Sequence, residues 1–253
     1  VYLITKDLTS HKNSALFGTF LYLVSATHGI IFYWSATFAF VLGPFFYFSS
    51  VLLYLRKRIL LCTILFVLGL LTNELLISLP LLLLIYEIIF GKSWYKKLVV
   101  LFIILFAYLF VRWQFLPNIL KGDYQLQLGF KQILLNLRDY CLWALNWPNE
   151  IHNQFSSFFQ LNPIFIKNFL FQISVWMINS IFILFVIALS VFNFFRKSAT
   201  RNLILFGSIW FVIALVPVLF FSQHAFSYYV PVALVGLIFV LGSSLTNLSK
   251  TIN

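Results

Sequence analysis

The sequence predicts an all-α chain: a polytopic transmembrane helical bundle of about eight spans, with an interfacial helix in a long outer loop. Three observations predict it. Of 253 residues, 62% are apolar and only 9% are charged, against roughly 25% charged in soluble domains. The apolar residues fall into runs near the ~20 residues that cross a bilayer. Lys and Arg sit between those runs and alternate in density from loop to loop, as the flanks of membrane spans do. The net charge of +11 therefore reads as span flanks. A nucleic-acid face would instead gather the basic residues on one soluble surface.

Taken in order, Val1 to Leu8 reads as the end of a helix whose start lies upstream, so at least one N-terminal span is expected to be missing. The expected spans are then Ala15–Ile31, Ser35–Leu55 with Gly43-Pro44 inside it, Ile59–Leu71, Leu75–Phe90 and Leu98–Trp113. A long connection, residues 114–167, follows. The last three spans are Phe169–Phe195, Leu203–Phe221 and Tyr229–Leu245. All of 1–253 reads as one membrane domain. Within the connection, Phe130, Ile133, Leu134, Leu137, Cys141 and Leu145 recur at helical spacing, interrupted by Lys131, Arg138 and Asp139. That pattern predicts an amphipathic helix lying on the interface, covering the bundle or shaping a groove for a lipid headgroup.

The loop set that runs from Lys6 and Lys12 through Arg56-Lys57-Arg58, Lys92, Lys96 and Lys97 to Arg196, Lys197, Arg201 and Lys250 holds twelve of the seventeen basic residues. The positive-inside rule makes it cytoplasmic. The opposite loops hold Arg112, Lys121, Lys131, Arg138 and Lys167. They also hold four of the six acids and three of the four histidines: Glu74, Asp123, Asp139, Glu150, His28, His152 and His224. Trp34, Trp113, Trp143, Trp147 and Trp176 are expected as a belt at that boundary, with Trp94 at the inner one. Asn247-Leu248-Ser249 matches a glycosylation sequon but falls on the cytoplasmic side. Cys62 and Cys141 lie in different segments, and neither a disulfide nor a metal role is expected for them.

No phosphate-cradling glycine loop, nucleophile elbow or paired-histidine zinc signature is present, and the three outer histidines fit no local metal-ligand spacing. The informative stretch is Thr72 to Glu87, where Asn73 and Glu74 stand at the mouth of an apolar segment. A carboxylate next to a span marks a functional site unless water or a partner accounts for it. Topology places Glu74 on the outer face and Glu87 at the cytoplasmic end, so the two cannot act as a catalytic pair.

Three stretches resemble the GT-C superfamily of polytopic membrane glycosyltransferases, and most closely its protein O-mannosyltransferase-like group. They are His28-Gly29-Ile30-Ile31-Phe32-Tyr33-Trp34-Ser35; Glu74 with Pro80 and then Tyr86-Glu87 in register; and Trp210-Phe211, Leu215-Val216-Pro217 and Tyr229-Val230-Pro231. Asn73 stands where that family usually has Lys, and Phe226 where it often has Arg. The resemblance implies transfer of a sugar from a polyprenyl-phosphate donor in the membrane lipid to a protein or glycan acceptor. The active face would be the outer face of a bacterial plasma membrane. It implies Arg112 and Arg138 as phosphate partners, Glu74 and Asn73 as sugar or orienting groups, His28 and His224 as hydrogen-bonding groups, and Tyr229 as pocket wall. The acidic base is expected in the first outer loop, upstream of this sequence. No cofactor is implied; a divalent cation is compatible with the chemistry but has no support in the residues. Two other classes fit the composition, a transporter or lipid-carrier flippase and a non-catalytic membrane scaffold. No internal repeat supports the former.

Overall fold

The structure, a computed structural model, describes residues 1–91, 95–115, 127, 129–196, 198–221 and 224–252. The expectations placed on Lys92, Trp94, Lys121, Asp123 and Lys197 lie outside the described residues, as do those on the side chains of Asn247 and Lys250. Every regular element among the described residues is helical, and one isolated antiparallel bridge pairs Phe155 with Leu161. The α-helices are α1 (Tyr2–Thr9), α2 (Lys12–Leu23), α3 (Gly29–Tyr33), α4 (Ala39–Leu55), α5 (Ile59–Leu70) and α6 (Leu79–Phe90). They continue with α7 (Tyr95–Phe115), α8 (Phe130–Ala144), α9 (Pro163–Asn168), α10 (Leu170–Arg196), α11 (Ser198–Leu219) and α12 (Val230–Ile252).

The eight expected spans follow these helices in order, but among the described residues three helices are long and apolar enough to cross a membrane: Lys96–Phe115, Leu170–Phe195 and Thr200–Leu219. Lys12–Leu23 and Ala26–Tyr33, bent by 48° at their junction, would make a fourth if they act together. Two of the remaining expected spans are short. With 12 residues each, α5 and α6 rise only about 18 Å, well short of a hydrocarbon core of about 30 Å. The expected span over 75–90 is also broken. Pro80 has no N–H and its ring crowds the carbonyl four residues back, so α6 begins at Leu79 with Pro80 in its first turn. Glu74–Ser78 forms a 3-10 turn ahead of it. Pro44, by contrast, lies inside a continuous α4.

Helix α12 is central and packs against α2, α10 and α11. Its seam with α11 is closed by two glycines. A Cβ at Gly207 would lie 2.5 Å from the carbonyl oxygen of Gly236, and a Cβ at Gly236 would lie 2.4 Å from that of Gly207. Trp210 is fully buried beside this contact and its indole N–H donates to the Val232 carbonyl at 2.9 Å. The outer helices α7 and α10 show the reverse. Only 17% and 11% of their apolar windows are buried, leaving Phe106, Phe110, Ile178, Phe182 and Phe185 exposed. Apolar faces that large need a hydrocarbon or protein partner, and they fit a chain embedded in a membrane.

The long connection holds the expected helix, and the tryptophan belt is corrected. Helix α8 forms over 130–144, but the face it buries is Asn136, Asp139, Tyr140, Trp143 and Ala144. The stripe of Phe130, Ile133, Leu134, Leu137, Cys141 and Leu145 is exposed or half-buried. The helix is amphipathic: Leu137 and Leu145 of the stripe pack against the edge of the core, and Phe130 is exposed, an arrangement that suits a helix lying on an interface. The tryptophan belt is also smaller than expected. Trp34 and Trp113 are exposed, but Trp143 and Trp147 are core residues. Their indole N–H groups are satisfied inside the protein, Trp143 by the Pro148 and Asn149 carbonyls at 3.2 Å and Trp147 by the Ser180 hydroxyl at 2.8 Å.

The glycine seam makes a direct prediction. Gly236→Ala is expected to lower the melting temperature in detergent, because overpacking against backbone costs about 1–3 kcal/mol. Gly242→Ala on the same helix, with nothing within 4 Å of its Cβ position, is expected to leave it unchanged or raise it slightly, as Ala favours helix over Gly by ~1 kcal/mol.

Candidate functional site

The sequence-predicted residues gather at the end of the bundle that carries α8, but in separate groups. At the junction of α5 and α6, Asn73 has an extended backbone and both ends of its side chain are engaged. Its Oδ1 accepts from the Leu75 N–H at 2.9 Å, capping the 3-10 turn, and its Nδ2 donates to the Ala39 carbonyl at 3.3 Å. Gly43 makes room for it, since a Cβ there would come within 2.8 Å of the Asn73 Cβ. Glu74, one residue on, forms an ion pair with Arg112 at the end of α7. Arg112 also donates to the Tyr108 hydroxyl at 2.7 Å. Two residues expected to meet different parts of a substrate thus neutralise one another.

His28 follows the bend between α2 and α3. Its Nε2 donates to the Tyr22 carbonyl at 2.8 Å, and its ring lies 4.6 Å from that of Tyr22. His224 and Tyr229 belong to an aromatic group before α12. The Tyr228 hydroxyl lies 3.3 Å from His224 Nε2, the His224 and Phe226 rings are 4.8 Å apart, and Phe40 packs on Tyr228 and Tyr229 at 4.2 and 5.2 Å. Tyr229 is buried.

Arg138 stands in a different setting, a cleft of about 580 Å³ between α8, the segment 152–158 and Ala225-Phe226. Along α8 the cleft is lined by Lys131, Gln132, Leu135, Asn136, Arg138 and Asp139. From the facing loop come His152, Phe155, Ser156, Ser157 and Phe158. Neither Glu74, Arg112, Asn73, His28, His224 nor Tyr229 lines it.

Helix α8 is seated there by hydrogen bonds to main-chain carbonyls. Asn136 Nδ2 donates to the Leu219 and Phe221 carbonyls, both at 2.8 Å, at the end of α11, where helix geometry leaves carbonyls without partners. Its Oδ1 accepts from Gln132 Nε2 at 2.9 Å. At the other end of α8, Asn146, in the left-handed region at φ 66°, accepts on its Oδ1 from the Ser25 hydroxyl and the Ala26 N–H at 3.2 and 3.0 Å. Asn179 of α10 donates to the Leu145 carbonyl at 2.8 Å. Three side-chain amides therefore join α8 to α11, to the α2–α3 bend and to α10.

Arg138 is held on every side. Its guanidinium reaches Asp139 Oδ1 at 2.7 Å and the Phe158 carbonyl at 2.8 Å, and it lies 4.0 Å over the Phe155 ring. Both members of the pair are more than nine-tenths buried as side chains. Burial pushes the Asp139 carboxyl above its ordinary value, and the Arg138 and His152 charges only partly oppose that. Lys131, at the rim, is exposed. Among the described residues the cleft thus offers one exposed cation, a neutralised Arg–Asp pair, hydroxyl and amide groups and three phenyl faces. That mixture suits a polar ligand with apolar edges. Among the described residues no group of three or more His, Cys, Asp or Glu is placed to hold a metal.

Sequence reasoning gave no role to Lys131, Gln132, His152, Phe155, Phe158 or Phe226 in such a site. The charges punctuating the α8 stripe were the available signal, had they been read as an inward face.

The buried pair predicts a pH response. A carboxyl whose pKa rises on folding binds its proton more tightly in the folded state. Its contribution to stability is then largest below the ordinary value of 3.8 and is lost as pH climbs from there to the raised folded value. Asp139→Asn is expected to flatten that slope in melting curves between about pH 3 and pH 7.

Compared with protein-family models, with curated proteins and with solved structures, the chain matches none.

Proposed function

We propose that this chain transfers a sugar from a polyprenyl-phosphate carrier to an acceptor at the α8 end of the bundle. In this reading that end faces outward from a bacterial plasma membrane, because the basic residues concentrate at the opposite end. The eight apolar segments all cross, the short ones where the bilayer thins around them. The observation that carries the proposal is the 580 Å³ polar cleft with phenyl walls along one side of the amphipathic helix α8.

Such a site separates the two halves of a lipid-linked sugar. The polyprenyl tail remains in hydrocarbon along the exposed apolar faces of the bundle. The sugar enters the cleft, its apolar ring faces against Phe155, Phe158 and Phe226 and its hydroxyls toward Ser156, Ser157 and Gln132. Lys131 at the rim meets the phosphate as a mobile point charge and stabilises it as it leaves. Arg138 supports the site from behind: the Asp139 pair keeps it neutral overall while its planar group holds the Phe155 and Phe158 walls. The Glu74–Arg112 pair stands outside the cleft and fixes the end of α7 against the 3-10 turn before α6.

The test is label transfer in proteoliposomes supplied with polyprenyl-phosphate hexoses and peptide or glycan acceptors. The expected result is labelled acceptor, reduced about tenfold or more by Lys131→Ala, equivalent to ~1.4 kcal/mol or more of lost stabilisation. Glu74→Gln is expected to cost less than Lys131→Ala. Label carried into the lumen with no labelled acceptor would mark a transporter and remove the reading.

A further inference from the structure

We infer that a slot between α2, α10 and α12 holds one acyl chain of a glycerophospholipid, with the ester end of that chain at Asn146 and Asn179. The slot has a volume of about 130 Å³ and shares no lining residue with the polar cleft. Helices α2 and α10 both pack on α12, and the slot runs between them over the α12 surface. Each contributes a strip of similar length: Phe17 to Ser25 at the end of α2, Asn179 to Val186 on α10 and Leu234 to Leu241 on α12. Steps of seven or eight helical residues rise about 10–12 Å. That fits within the roughly 15 Å that one leaflet supplies to a hydrocarbon core of about 30 Å. The volume is close to that of an apolar cavity of about 150 Å³ that holds one benzene, so the slot takes one chain and not two.

The slot changes character along its length. Its walls on α2, α10 and α12 are Phe, Leu, Ile and Val side chains, and Ser25, Asn146 and Asn179 stand at its α8 end. The Ala26 N–H donates to Asn146 Oδ1 at 3.0 Å. A backbone N–H only donates, so this bond fixes which way the amide points and turns Nδ2 to its other side. Asn179 Nδ2 donates to the Leu145 carbonyl at 2.8 Å, which fixes its Oδ1 in the same way. Both side chains are half-buried. Among the described residues nothing bonds to Asn146 Nδ2 or Asn179 Oδ1. An apolar slot thus ends at one open amide donor and one open amide acceptor.

Surroundings, depth and charge select the occupant. The slot opens beside the exposed apolar face of α10, where Phe182 is both a lining residue and exposed, so hydrocarbon is at its mouth. Asn179 lies sixteen residues before Phe195, the end of the apolar window of α10, or about 24 Å along the helix axis. In a core of about 30 Å that places the two amides near the boundary on the α8 side, the depth of a lipid ester. No charged side chain lines the slot among the described residues. A glycerophospholipid suits this, because a neutral ester carbonyl separates its chain from its phosphate. The carbonyl accepts from Asn146 Nδ2 and the phosphate stays further out in water. Polyprenyl phosphate joins its phosphate directly to the chain and would set an anion against uncharged groups, which is costly. The seated chain separates α2 from α10 and meets the same asparagine that ties α8 to the α2–α3 bend.

The test uses the whole chain in nanodiscs of dioleoylphosphatidylcholine, doped with a phosphatidylcholine that carries a photoreactive diazirine on one acyl chain. After illumination, mass spectrometry of the digested protein locates the label. It is expected on residues 17–24, 182–186 and 237–241 at about tenfold or more the level on the exposed α7 residues Phe106 and Phe110, the mark of a held chain over passing lipid. Leu237→Trp fills the slot from α12 and Val186→Phe fills it from α10; each is expected to bring that label down to the α7 level. Asn146→Asp keeps an oxygen for Ser25 and Ala26 but loses the donor, and is expected to lower the label about threefold or more. Added polyprenyl phosphate is expected to leave the pattern unchanged. Label spread evenly over α7 and the slot in the wild-type protein would overturn the inference, whether or not the filled variants fold. So would undiminished label in both filled variants, or displacement of the label by polyprenyl phosphate.

Discussion

The carbonyls at the end of α11 are the constraint on which the α8 end of the molecule depends. A helix ends with main-chain acceptors that have no internal partner, and leaving them bare in an apolar setting is costly. Asn136 satisfies Leu219 and Phe221 with one amide. That choice fixes the rotation of α8. With Asn136 inward, Asp139, Tyr140 and Trp143 must also point inward, because they share its face, and Arg138 is drawn to the flank where it meets Asp139. The cleft and its neutralised pair both follow from which face of α8 turns toward the bundle.

The same rotation reverses the usual logic of an amphipathic helix. In a soluble domain the apolar stripe of α8 would be the fully buried side. Here the fully buried side is Asn136, Asp139, Tyr140, Trp143 and Ala144, and the apolar stripe is only half-buried or exposed. Helices α7 and α10 behave likewise, with long exposed apolar faces. A membrane removes the force that would drive these faces inward, since lipid is as apolar as leucine, so packing is decided by hydrogen bonds and close backbone approach. The Gly207–Gly236 seam and the three asparagines on α8's anchors are the two forms this takes.

This explains how much was legible in the sequence. Composition and the spacing of apolar runs located nearly every long helix, because helix formation in an apolar segment is a local matter. Span length was less legible: Pro80 and the capping side chains of Asn73 and Ser25 shorten or bend segments that hydropathy reads as continuous. Which face of α8 meets the protein was not legible, because periodicity shows that a helix has two sides and not which one packs. The pairing of Glu74 with Arg112 and the place of His152 depend on contacts between distant parts of the chain. Glu74 was visible as an isolated acid in apolar surroundings, while His152 sits in a loop with no spacing signal of its own.

The anchors of α8 also bear on the order of assembly. Asn136 binds residues 83 and 85 positions further along the chain, so during N-to-C synthesis α8 exists before its docking partner is made. Until α11 arrives, its polar face has only water to bond to, while its apolar stripe can already rest on lipid. The cleft-forming face of α8 is therefore completed by residues made long after it, and the two ends of that contact must both be present before the cleft exists.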